Sequence, residues 1–283
     1  MKFTPLLIVL AAGVVLICRA MARGETAEQA FARGDTLVAK GGFQEALQAY
    51  AAAVRAERTN QQYVQQFMLV RQVVALRGTL EQEKDLQRWH TIAQALRSFY
   101  VSQGVYSEAL SVDEKTHARL NTASSAAQLA ETQLAMGKDA DALQVLAALD
   151  PDSATPATQA FLGIALARQG RVDEARKTAE RVALPENVSP GTLYSVARMQ
   201  AAIGNHRQAL GLLTRCFEAV APSRLDVFKT HATQCPEFAG MASTDGFARV
   251  LKTKSKVAES KCSGGSSCAG CPMRAKCPKS QGK

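Results

Sequence analysis

The 283-residue chain has little that speaks for chemistry. Aromatic residues are 6% of it, with one Trp and five Tyr, and only four His occur. Runs of β-branched residues are few while Ala is frequent, which disfavours sheet and favours helix. After residue 18 no apolar run is long enough to span a bilayer, so the chain is not a polytopic membrane protein. There is no Gly-rich phosphate loop, no nucleophile elbow and no His-Glu-x-x-His pattern. His90, His117, His206 and His231 stand without a paired carboxylate or Cys at ligand spacing and read as surface or packing residues, as Trp89 reads as a packing aromatic. No residue is nominated as catalytic, and an enzyme is not expected.

Net charge is missing from most of the chain as well. The net charge is +9, but residues 1–19 contribute +2 and residues 251–283 contribute +7, leaving 20–250 at zero. The body offers no general positive field, so nucleic acid is not an expected partner. The basic tail could contact an anionic surface. At 47% apolar residues the chain has enough to build a core without disulfides or metal.

What is present begins with an address. Lys2 precedes an apolar run of 14 residues, Pro5 to Cys18, and Ala20-Met21-Ala22 follows as a small-x-small cleavage pattern. Residues 1–22 read as a signal peptide, with Arg23 the new N-terminus and the mature chain exported, periplasmic or secreted. An anchor at the inner membrane through residues 5–18 is the alternative. A lipoprotein reading of Cys18 is disfavoured by Ile17, where a small residue is expected.

The middle, 23–221, is periodic. A Gly, four residues and an Ala recur as Gly41…Ala46, Gly104…Ala109, Gly137…Ala142, Gly170…Ala175 and Gly204…Ala209, with Ala-to-Ala intervals of 63, 33, 33 and 34. A period near 34 with helix-forming flanks means helix–turn–helix units. Gly supplies the left-handed residue that stops the first helix, and Ala lets the second cross it closely. The 63-residue interval is nearly two periods, which predicts a degenerate unit at about 60–89. With Phe43, Tyr50 and Ala53 after Gly34 and Gly41, and Tyr100 and Tyr106 around Gly104, the constellation resembles the tetratricopeptide repeat. Asp113 and Thr116 depart from that pattern. The resemblance implies an all-α fold: a right-handed helix–turn–helix solenoid of five clear repeats plus the degenerate unit. A short helical cap over 222–251 and a flexible Cys-rich tail over 252–283 complete it.

A solenoid of this kind is expected to bind a protein or peptide along the face made by its first helices, the alternative being that this face is simply solvated. That register points Phe31, Asp35, Val38, Thr91, Gln94, Ser98, Val101, Glu131, Leu134, Ile164, Tyr194 and Arg198 inward. Phe31, Gln94, Ala127, Ala160 and Tyr194 form one row in which the Lys and Asn of the family's chaperone-binding members are missing.

Seven Cys occur, and signal cleavage would leave six. Cys216 and Cys235, 19 residues apart, are expected to form a disulfide tying cap to solenoid, with two buried thiols the alternative. Cys262, Cys268, Cys271 and Cys277 are spaced C-x5-C-x2-C-x5-C. Three chemistries fit: two disulfides, a four-thiolate metal site, most simply Zn(II), or thiol exchange through Cys268 and Cys271. Two functions are therefore expected: an exported interaction scaffold or, alternatively, a metal-binding or thiol-redox protein acting through its tail. No other cofactor is implied.

Overall fold

The computed structural model describes residues 25–258. The address segment and the tail cysteines Cys262, Cys268, Cys271 and Cys277 lie outside the described residues. Among the described residues there are thirteen α-helices, two short 3-10 helices and no strand. None of these helices is long and apolar enough to cross a membrane. The chain divides into two compact units between Met136 and Gly137.

The first unit holds α1 (Ala27–Ala39), α2 (Phe43–Ala56), α3 (Gln61–Gln82), α4 (Leu86–Ser102), α5 (Tyr106–Leu120) and α6 (Ala123–Ala135). Each packs on the next in sequence. The core is built from Val38, Phe43, Tyr50, Val70, Val73, Trp89, Leu96 and Tyr100. Where a degenerate unit is expected at 60–89, α3 runs on for 22 residues and α4 then starts at Leu86. The two-period interval is thus filled by one long helix and its successor, with no Gly turn between them.

The second unit holds α7 (Asp139–Ala147), α8 (Pro156–Arg168), α9 (Val172–Glu180), α10 (Pro190–Ala202), α11 (His206–Ala219), α12 (Pro222–Gln234) and α13 (Asp245–Leu251). A 3-10 segment, Pro236–Met241, separates the last two. Here α8 packs on α7, α9 and α10, and α10 packs on α11. The 3-10 segment lies on α10 and α12, and α13 lies on α11.

The two kinds of helix start differently. Thr26, Asn60, Asp85, Thr122, Thr155 and Ser189 each accept a backbone N–H at the start of α1, α3, α4, α6, α8 and α10. These caps satisfy donors that the first turn leaves open. The helices after the Gly turns, α2, α5, α7, α9 and α11, have no side-chain cap. Their entry is set by the turn itself. Gly41, Gly104, Gly137, Gly170 and Gly204 all have φ between 69° and 84°. Around four of them the N–H after Gly donates back to the helix it has just left: Gly42 to Leu37, Val105 to Tyr100, Arg171 to Leu166 and Asn205 to Gln200, at 2.8–2.9 Å. That is the Schellman closure, and it demands the left-handed residue that Gly provides. The paired Ala46, Ala109, Ala142, Ala175 and Ala209 are all fully buried, as a close helix crossing requires.

Candidate functional site

In the first unit the polar side chains of α4 and α6 face one another one period apart. Gln94 Nε2 donates to Gln128 Oε1 at 2.9 Å, and Gln128 Nε2 returns a bond to Gln94 Oε1 at 3.3 Å. Gln94 Nε2 also lies 3.1 Å from His90 Nε2. One turn on, Arg97 joins three helices. Its Nε donates to both oxygens of Asp113 on α5, at 2.8 and 3.1 Å, and its Nη2 to Glu131 on α6 at 2.8 Å. Thr132 Oγ1 donates to Asp113 Oδ2 at 2.6 Å.

Asp113 is 1% exposed. Burial pushes its carboxyl up to about 6 against the pull of Arg97 and Thr132, and Glu131, drawing on the same guanidinium, adds to the rise. Thr91 and Ser98 lie along this face, Thr91 exposed and Ser98 exposed, and Gln94, Val101 and Glu131 are half-buried. The face offers amide donors and acceptors at one period, with charges held still beneath them.

The remaining expected groove residues are placed otherwise. On α1, Asp35 is exposed and accepts from Tyr50 Oη at 2.6 Å. Phe31 stacks on Tyr63 of α3, ring centroids 4.6 Å apart, and also meets Tyr50. Val38, Leu134 and Ile164 are buried and offer nothing to a ligand. Beside Ile164, α8 and α10 approach so closely that a Cβ on Gly163 would stand 2.6 Å from Met199 Sδ.

Tyr194 and Arg198 are buried beneath the chain's own segment 228–238. Tyr194 packs against Phe228, His231 and Phe238, and its hydroxyl lies 2.6 Å from His231 Nδ1. Arg198 Nε donates to Glu237 Oε2 at 3.1 Å. Arg168 joins from α8: its Nε donates to Glu237 Oε1 at 2.9 Å, its Nη2 donates to the same oxygen, and its Nη1 donates to Asp139 Oδ1 at 3.1 Å. The Glu237 side chain is 2% exposed. Burial would raise its carboxyl, but Arg198, the Cys235 thiol and Arg168 outweigh it and hold the group at about 2. In the second unit, then, the face expected to stand open is closed by a strap from the cap.

The expected Cys216–Cys235 disulfide is absent. Both cysteines are free and buried. Their thiols serve different acceptors: Cys216 Sγ donates to the Pro190 carbonyl at 3.2 Å and Cys235 Sγ to Glu237 Oε2 at 2.8 Å. Burial pushes each thiol up to about 12, far from the thiolate that exchange would need. Among the described residues no group of three or more His, Cys, Asp or Glu is arranged to hold a metal ion.

Sequence reasoning missed Arg97, Gln128, Arg168 and Glu237. It noticed Asp113 only as a departure from the repeat pattern. A buried acid in a helix otherwise spaced for apolar packing was the one signal that asked for a basic partner.

No protein-family model matches the chain, and no curated protein matches it. Among solved structures it is similar to a thermophilic TPR protein of Thermus thermophilus, at 19% identity, over 73% of this chain and 97% of that one, with a TM-score of 0.36. It is also similar to a tetratricopeptide repeat protein of Parabacteroides merdae, at 16% identity, over 81% of this chain and 99% of that one, with a TM-score of 0.36.

Proposed function

We propose that the protein is an exported scaffold that binds an extended segment of a protein partner along the α4–α6 face of its first unit. The observation that carries this reading is the Gln94–Gln128 amide pair. An extended peptide presents a backbone donor and acceptor at each residue, and a pair of primary amides can open to receive both. Such a pair costs little to break, because each amide exchanges one neutral partner for another. Arg97 holds Glu131 in place beside it, which supplies an acidic contact whose geometry is already set. Export rests on the residue pattern of 1–22.

The test uses a phage-displayed library of random 12-residue peptides panned against the full chain. We expect enriched peptides whose affinity falls at least tenfold in the Gln94→Ala/Gln128→Ala variant, with unfolding unchanged. Absence of enrichment, or winners that bind the variant equally well, overturns the reading. Export is checked separately by the mass of the protein from its own cells, expected to begin at Arg23.

A further inference from the structure

The C-terminal strap of the second unit is held in an unusual way for a piece of core. Backbone hydrogen bonds of residues 236–244 reach only their neighbours along the chain: Phe238 N–H to Cys235, Ala242 N–H to Ala239, Thr244 N–H to Met241 and Ala248 N–H to Thr244. Its grip on the body comes from side chains. Glu237 inserts between Arg168 and Arg198, while Phe238, 1% exposed, lies edge-on to Tyr194 with centroids 5.8 Å apart. An anchoring ring beside a fully desolvated, doubly paired charge is the arrangement by which one protein segment is recognised by another.

It is a poor way to build a core. Burying a carboxylate with Arg198, and Arg168 in part, costs more than packing apolar side chains of the same size. What the arrangement supplies is selectivity for what lies on α8 and α10. We propose that the α8–α10 face is a peptide-receiving surface which the chain keeps filled with its own Glu237-Phe238 strap. A partner segment that presents a carboxylate next to an aromatic ring enters by displacing it. Arg168 is also held by Asp139 at 3.1 Å, a contact in which the strap takes no part, so part of the receiving charge is oriented independently of Glu237. A filled surface lowers the apparent affinity for any competitor by the fraction of time the strap is open. This inference is independent of the α4–α6 face.

The probe is a fluorescent synthetic peptide with the sequence of residues 233–243 and Ser in place of Cys235. Binding to the full chain is read by anisotropy. The wild-type chain is expected to bind it weakly. The Glu237→Arg chain, in which a third cation expels the strap, is expected to bind at least tenfold more tightly. Adding Arg198→Met, or changing the probe's Phe to Ala, should remove that gain. Protection of Cys216 from alkylation shows whether α10 and α11 remain packed in the variant. If Cys216 becomes reactive, the decision passes to a wild-type chain carrying a protease site after Gln234. Once cut, that chain is expected to bind the probe at least tenfold more tightly than the uncut chain. Equal binding by the wild-type and Glu237→Arg chains with Cys216 protected, or no gain after cutting, overturns the proposal.

Discussion

Replacing Arg97 by Met tests the charge logic of the first unit. The substitution removes the guanidinium that faces Asp113 at 2.8 Å and leaves a carboxyl only 1% exposed without its main counter-charge. Breaking one side of a buried ion pair costs about 3–5 kcal/mol. The loss should depend on pH in a definite direction. An Asp titrates near 3.9 when unfolded, and burial lifts Asp113 to about 6 in the folded protein. A raised acid favours the folded state at low pH and loses that contribution as pH climbs from about 4 through 6. Without Arg97 the carboxyl rises further. At pH 7.5 the variant should show the full loss, whereas at pH 5 Asp113 is mostly protonated in both proteins and the loss should shrink to roughly 1–2 kcal/mol of hydrogen bonding and packing.

Adding Asp113→Leu removes the stranded charge. Thr132 then turns its hydroxyl to the Gln128 carbonyl one turn back, and the double variant should return to within about 1 kcal/mol of wild type. Trp89 makes this measurable. It is the single Trp, it is 1% exposed in the first unit, and Arg119 lies over its ring at 4.2 Å. Its fluorescence in urea therefore reports that unit alone. A loss below about 1 kcal/mol at pH 7.5, a loss equal at both pH values, or a double variant no better than Arg97→Met would each refute the reasoning.

Four further outcomes are expected. Gly104→Ala puts a Cβ at φ 69° with nothing within 4 Å of it, so only backbone strain acts; Trp89 unfolding should show a loss of about 1–2 kcal/mol, with Gly104→Asn milder. Gly34→Ala places a Cβ 2.5 Å from the ring of Tyr50, and overpacking should cost about 1–3 kcal/mol on the same read-out despite the better helix propensity of Ala. Glu237, held at about 2, stabilises the second unit above the unfolded value near 4.3 and loses that contribution as pH falls toward 2; Glu237→Gln should flatten the acid limb of a circular-dichroism stability profile by about 3 kcal/mol. Cys216 should resist alkylation at pH 8 until the protein unfolds, Cys235 should react only as the strap opens, and a cross-linked 216–235 peptide in a digest would contradict the free thiols.

The repeat was legible because its causes are local. A left-handed residue at the end of each first helix and a small residue at each crossing are demands of backbone sterics, and both leave a mark at intervals of 33 or 34 residues, or 63 across α3. Long α3 escaped for the same reason. It needs no turn, so it carries no punctuation, and its apolar residues lie on every side. The disulfide expectation rests on compartment and count. A disulfide needs the two sulfurs brought together, and here each is turned to a different acceptor, Pro190 and Glu237, 26 and 2 residues from their cysteines along the chain.

The site was only partly legible, and one stripe shows why. Asp35, Ser98, Glu131, Ile164 and Arg198 recur at the intervals of the Gly–Ala pattern, and periodicity alone assigns them one environment. Asp35 and Ser98 are exposed, Glu131 is half-buried, and Ile164 and Arg198 are buried. The period predicts where each side chain starts, not what lies over it. Over Arg198 lies Glu237, 39 residues away and itself outside any repeat. A non-periodic segment can be recognised as a cover only through its chemistry, and the sequence held that chemistry in pieces: Arg168 and Arg198 on first helices of a chain region with no net charge, and an acid beside an aromatic in the cap. The two arginines sit 30 residues apart in sequence and meet on one carboxylate because α8 and α10, neighbouring first helices of the repeat, pack directly on each other with Gly163 against Met199. The legible part of the fold thus builds the surface, and the illegible part decides whether that surface is open.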